Sequence, residues 1–129
     1  MEVIVADSDV LIDALNGIEP SASRIARELK QASLATTAVN AFELLSGARR
    51  PGQLEKITDL LDGINVLGLD SSASFKAAEL RRELEGQGFS IGMADYLIAG
   101  VCITRSFPLL TRNRRHFERV DDLSLVALD

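Results

Sequence analysis

Cysteine occurs once in the 129 residues, at Cys102, which excludes an internal disulfide. Histidine is also single, at His116, so a zinc centre built from several His and Cys ligands is excluded too. No apolar run approaches the ~20 residues that cross a bilayer. The N-terminus carries no basic segment leading into an apolar core and a small-residue cleavage site, so neither a membrane span nor an export signal is expected. Together with the lone cysteine, these absences predict a reducing, cytoplasmic setting. Lysine is scarce, three against eleven arginines, and Lys76 is the last of them. The net charge of −5 argues against a generic nucleic-acid coat protein. Internal repeats, linkers and low-complexity stretches are absent.

What is present fits one globular domain spanning residues 1–129. The chain is 47% hydrophobic and 26% charged, and long enough to bury a core. Short apolar runs alternate with helical patterns. Glu2–Ala6 reads as a buried strand, and Ser8–Asn16 as a short helix stopped by Gly17. Pro20-Ser21 opens a second helix, with Ala22, Ile25, Ala26 and Leu29 predicted on its inner face. Leu34–Thr37 is a second strand that passes directly into a helix, Val39–Ala48. Pro51 suits the first position of a fourth helix, with Leu54, Ile57, Leu60 and Leu61 on one side. Ile64–Leu69 is a third strand. Ser71 or Ser72 is expected to cap a longer helix with Ala73, Ala77, Leu80 and Leu84 in register. Met93–Thr104 is apolar almost all round, as a central helix is. Pro108–Thr111 and Leu123–Leu128 complete the strands, the last as a possible edge, with a short helical turn at Asn113–Arg119 between them. This alternation predicts an α/β fold: a three-layer α/β/α domain with a mostly parallel sheet of four to five strands.

Ligands of such sheets sit outside the carboxyl ends of the strands. Asp7 ends the first strand, Glu43 lies two turns beyond the second, and Asp95 stands in the first turn of the central helix. Ser8, Thr111 and Asn113 are neutral polar groups at the same end, and His116 follows a turn later. Three converging carboxylates repel unless a cation neutralises them. Hard oxygen donors point to Mg²⁺, or Mn²⁺, and phosphodiester hydrolysis is the chemistry such a site serves best. Arg105, Arg112, Arg114, Arg115 and Arg119 face a single acid, Glu118, making that stretch locally basic. Plainer roles exist for each residue. Asp7 can be a helix N-cap, Glu43 can pair with Arg49, and Asp95 can be an ordinary first-turn acid. Ser8, Asn40, Thr111 and Asn113 can be capping and turn residues. His116 can be a surface or packing residue, Cys102 is expected in the core, and Arg49-Arg50 and Arg81-Arg82 read as solvated helix faces.

Four segments resemble the PIN-domain nucleases, and more closely the VapC toxins of toxin–antitoxin pairs. They are Val5-Ala6-Asp7-Ser8-Asp9-Val10-Leu11-Ile12, Thr37 to Ala48 around Glu43, Ile91 to Gly100 around Asp95, and Leu110 to Val120 around Thr111 and Asn113. The resemblance covers essentially the whole chain. It implies catalytic and metal-binding roles for Asp7, Glu43 and Asp95, with Ser8, Thr111 and Asn113 in support. It implies a Mg²⁺-dependent ribonuclease acting on structured RNA such as tRNA or rRNA, a homodimer, and inhibition by a small cognate antitoxin. Arg112, Arg114 and Arg115 are the expected RNA contacts. Two departures stand out: Asp9 replaces a frequent Asn, and His116 occupies the position of a frequent fourth acid. Two other readings compete. One is a catalytically silent PIN-like module that binds RNA or an antitoxin. The other is a haloacid-dehalogenase-type phosphatase using Asp7 and Asp9, for which the later motifs and a late lysine are missing.

Overall fold

A computed structural model describes residues 2–129. The strand β1 (Ile4–Ala6) lies in the middle of a five-stranded sheet ordered β3-β2-β1-β4-β5, with every neighbouring pair parallel. Its flanking strands are β2 (Leu34–Thr37) and β4 (Leu109–Leu110), and the edges are β3 (Asn65–Leu67) and β5 (Leu125–Val126). Among the described residues, seven helices connect them: α1 (Ser8–Leu15), α2 (Ser21–Lys30), α3 (Ala38–Gly47), α4 (Gln53–Asp62), α5 (Ser71–Gly86), α6 (Met93–Arg105) and α7 (Arg114–Phe117).

The three central strands are buried along most of their length, and both of their faces are covered, with Thr36 and Thr37 of β2 the polar residues among them. Val5, Ala35 and Leu109 point into one core, packed with Ala73, Ala77, Ile98 and Val101 of α5 and α6. Ala6, Leu34 and Leu110 point into the other, with Val10, Leu11, Ile25, Leu44 and Ile57 of α1 to α4. Successive residues of a strand thus serve opposite layers, which is the period of two expected of a covered parallel sheet. The α5 and α6 helices pack closely at Gly100, where a Cβ would lie 2.5 Å from the Ala73 carbonyl oxygen. The chain leaves β1 toward β2 and β3 on one side and returns through β4 and β5 on the other. The sheet therefore reverses direction at β1, and the crevice outside its carboxyl end falls at Asp7.

Several local expectations change. The buried face of α2 is Ser21, Arg24, Ile25 and Glu28, whereas Ala26 and Leu29 face solvent. Arg24 Nε pairs with Glu28 at 3.2 Å, and its Nη1 donates to the carbonyls of Ala127 and Leu128. Ser33 Oγ donates to Glu28 at 2.6 Å. A buried ion pair is tolerated when its remaining polar atoms are also satisfied, as here. The α4 helix begins at Gln53: Pro51 stands outside it, and Gly52, with φ of 79°, takes the N-cap in a left-handed conformation. Leu54 is exposed, leaving Ile57 as the one buried side chain of α4. Asp70, ahead of Ser71 and Ser72, caps α5 through the Ala73 N–H at 2.9 Å. Asn65 and Val66 of β3 are exposed because that strand is an edge. No helix among the described residues is long and apolar enough to cross a membrane.

Candidate active site

Asp7 is 7% exposed, and both of its carboxylate oxygens are held. Oδ1 accepts from the Ser8 N–H at 2.8 Å and from Asn40 Nδ2 at 3.0 Å. Oδ2 accepts from Thr111 Oγ1 at 2.7 Å. The capping role is real, since Asp7 is the N-cap of α1. It leaves room for a second role, because the donors come from the start of α1, from α3 and from the end of β4.

Asn40 organises this corner, although its sequence context suggests only a turn or capping role. Fully buried, it closes a capping box at the start of α3: its N–H donates to Thr37 Oγ1, and its Oδ1 accepts from the Thr37 N–H and hydroxyl. Its Nδ2 then reaches both Asp7 and Ser8 Oγ, the latter at 2.9 Å. Ser8 Oγ passes the chain on by donating to Glu43 Oε1 at 2.8 Å. Thr37-x-x-Asn40 at a strand-to-helix junction is the sequence signal that marks such a box.

Glu43 is exposed, as are its neighbours Phe42 and Leu45, while Leu44 is buried. Arg49 is not its partner, for that guanidinium donates to the Ser46 and Ala48 carbonyls. Burial nonetheless raises the Glu43 carboxyl pKa, against the Ser8 hydrogen bond, and the charges of Asp7 and Asp95 raise it further. Asp95, in the first turn of α6, is raised by burial and by Asp7, and lowered by His116. The three acids from β1, α3 and α6 therefore act on one another electrostatically. Asp9 joins them. Its Oδ2 accepts from the Arg112 N–H at 3.1 Å, and its carboxyl pKa is raised by burial and then by Asp7.

The opposite wall is looser. His116 Nδ1 lies 2.7 Å from Asp95 Oδ2 and 2.8 Å from Asn113 Nδ2. A carboxylate only accepts, so the Nδ1 hydrogen faces Asp95. The His116 side chain is 48% exposed. The Asn113 N–H donates to Thr111 Oγ1 at 3.0 Å, joining this wall to the Asp7 corner. Cys102 is fully buried, and burial pushes its thiol up to about 12, so it stays an inert core residue.

Residues 4–123 match the model of the PIN domain. The chain belongs to the PIN-domain family. Among its relatives, a tRNA(fMet)-specific endonuclease VapC of Shigella flexneri is 31% identical over 121 residues, covering 91% of each chain. Ribonuclease VapC10 of Mycobacterium tuberculosis is 30% identical, covering 94% of this chain and 90% of its own. Among solved structures, VapBC2 of Rickettsia felis bound to a DNA fragment of its promoter superposes with a TM-score of 0.84 at 25% identity, over 98% of this chain and 99% of that one. The chain is thus a PIN-domain nuclease of the VapC type, and the phosphatase reading falls away.

Within this PIN domain the acids do not form a closed cage: among the described residues, no group of three or more His, Cys, Asp or Glu side chains is placed to hold a metal ion. Most of the arginines expected at RNA are engaged with protein. Arg112 Nε pairs with Asp13 at 2.7 Å, and Arg114 Nη1 donates to the Val126 carbonyl. Arg105 binds the Gly68 carbonyl, and Arg119 lies 3.6 Å from the centre of the Phe89 ring. Arg115 is exposed.

Proposed function

We propose that this chain is a divalent-metal-dependent endoribonuclease, the toxin of a pair whose small antitoxin covers the acidic end of the sheet. Asp7, Glu43 and Asp95 are its catalytic and metal-holding residues. Ser8, Asn40, Thr111, Asn113 and His116 position them. The observation that carries this reading is that three carboxylates meet at one end of the sheet, where burial and the charge of Asp7 push the carboxyls of Glu43 and Asp95 toward the protonated state. That arrangement is unfavourable for the protein alone, and a hard cation offsets it.

The donor set fits Mg²⁺ or Mn²⁺: carboxylate and hydroxyl oxygens are its ligands, and such ions keep several waters rather than requiring an all-protein cage. Asp7, Glu43 and Asp95 would hold such an ion, which would supply charge neutralisation and Lewis-acid chemistry at a phosphate. The chain's own residues do the rest. Thr111 and Asn40 hold both Asp7 oxygens in place. Ser8 orients Glu43, and His116 orients Asp95.

The substrate class is structured RNA such as tRNA or rRNA, in line with the name of the Shigella relative. The Rickettsia toxin–antitoxin complex supports an antitoxin partner. We assign the working state to a cytoplasmic homodimer of one domain over residues 1–129. Phe42 and Phe75, 70% and 77% exposed, provide apolar surface for protein contacts. Expression of the chain alone and with the small protein encoded beside it, followed by mapping of RNA ends, tests the proposal. Discrete new RNA ends and arrested growth with the chain alone, both abolished by the neighbour, are expected. Unchanged growth and intact RNA in both cases would remove the toxin reading.

A further inference from the structure

The acidic crevice continues beyond the acids. A cavity of about 390 Å³ opens beside Ser8, Asp9 and Glu43, floored by Ile12 and Leu44. Its volume lies within the ~300–1,000 Å³ of small-ligand sites and accommodates one nucleotide-sized unit. Gln53 and Arg112 also line it. Gln53 Oε1 accepts the backbone N–H groups of Arg49 and Arg50 at 2.9 and 3.2 Å, so its amide nitrogen is the end left to donate. Arg112 is anchored through Nε to Asp13, yet its side chain is 51% exposed. Gly47 also borders the space, and a Cβ placed there would meet no atom within 4 Å.

Ile12 and Gln53 are shared with a second recess of about 90 Å³, whose lining includes Arg50 and Lys56. Neither cation forms a salt bridge among the described residues. Acids, an apolar floor with two donors, and unpaired cations therefore follow one another along one face, across α1 and the start of α4.

We infer that the substrate RNA leaves the acids along this face. The nucleotide next to the scissile phosphate sits over Ile12 and Leu44, its base edge meeting the Gln53 amide and the Arg112 guanidinium. The next phosphate meets Arg50 and Lys56. The inference rests on the ribonuclease reading and adds the strand's path to it. A base presents a flat apolar face and an edge rich in acceptors, which an apolar floor with donors at one side matches. A phosphate is disfavoured beside Glu43 and Asp9 without an ion, and is favoured at the cationic end. A protein segment is the other conceivable occupant. Continuity with the acids, and the cations placed one step beyond the base-sized space, favour RNA.

The test is binding of total tRNA to the purified chain in EDTA, where cleavage is suppressed, over a salt series. Two variants are compared with the wild type. Gly47→Leu fills the cavity, and Arg50→Glu/Lys56→Glu reverses the cationic end. Gly47→Leu is expected to weaken binding about tenfold with little change in salt dependence. The double variant is expected to weaken it by a similar factor and to lower the slope of log affinity against log salt by about one to two. Wild-type affinity in both variants, with wild-type melting temperatures, would overturn the inference. So would variants that bind and cleave RNA normally but escape the co-expressed antitoxin, which would give the face to a protein. Should Gly47→Leu fail to fold, the double variant decides, since both of its sites are exposed. A wild-type chain that neither binds nor cleaves RNA would fell the ribonuclease reading itself, a separate failure.

Discussion

The two sides of the crevice are built differently. At Asp7 a nearly buried carboxylate has both oxygens held by donors from three elements, and the principal holder, Asn40, is itself fully buried and saturated with bonds. At Asp95 a half-buried carboxylate leans on one exposed imidazole. The first side is preorganised by the fold, and its geometry follows from where β1, α3 and β4 meet. The second is set by a short helix on the surface, where side chains can move. The lesson is that one crevice can be fixed at one corner and adjustable at the other. Substitutions should cost in proportion to how deeply each partner is tied in.

The largest effect is expected for Asp7→Asn. It removes a charge that no neighbour can replace, and RNA cleavage should fall by about 10³-fold or more with the fold intact by circular dichroism. Next is Asn40→Ala. It leaves Asp7, Ser8 and Thr37 short of a partner and should cost about 1–3 kcal/mol in urea unfolding. Metal affinity and cleavage should fall about 10–100-fold, as for the loss of a partner that orients a ligand. A smaller loss, about tenfold, is expected for His116→Ala, while His116→Asp should restore cleavage by returning an acid to that wall. A full loss in His116→Ala equal to that of Asp7→Asn would break the contrast between the two corners. The smallest effect is predicted for Asp9→Asn, which keeps an acceptor for the Arg112 N–H and should leave cleavage within about threefold of wild type.

The pH dependence separates the charge account from a purely structural one. Glu43, Asp95 and Asp9 have carboxyl pKa values raised above 4.5, 3.8 and 3.8, by burial first and by neighbouring acids after it. The native chain therefore holds those protons to higher pH than the unfolded chain does. The ion-free protein bears no penalty from them at pH below the unfolded values. It loses stability as pH rises through the raised ones and changes no further above them. A cation replaces the proton, so the gain in melting temperature on adding Mg²⁺ should be larger at pH 7 than at pH 5. Equal gains by differential scanning fluorimetry would contradict the coupling of the acids.

Much of this was legible because the relevant forces are local or periodic. Ala73, Ala77, Leu80 and Leu84 mark the buried face of α5 by spacing alone, and the short apolar runs of β1 and β4, with Leu34 and Ala35 of β2, announce a sheet covered on both sides. Asp7 is legible because an acid that abruptly ends an apolar central strand has little structural use beyond capping the helix that follows. What escaped depends on distant partners. Arg24 lies inside because carbonyls more than 100 residues away, at Ala127 and Leu128, complete its bonding, and no helical period encodes that. Arg112 looked unpaired because Asp13, its partner, sits on another element. Asn40 looked like a turn residue because its capping box is local while its bond to Asp7 spans 33 positions.

The most direct measurement of the central claim is cleavage of total RNA by the purified chain in Mg²⁺, in EDTA, and in EDTA followed by excess Mg²⁺. The account predicts discrete fragments, none, and their return. Fragments that persist in EDTA, or intact RNA that is still bound in Mg²⁺, would contradict a carboxylate site that hydrolyses RNA with a divalent ion.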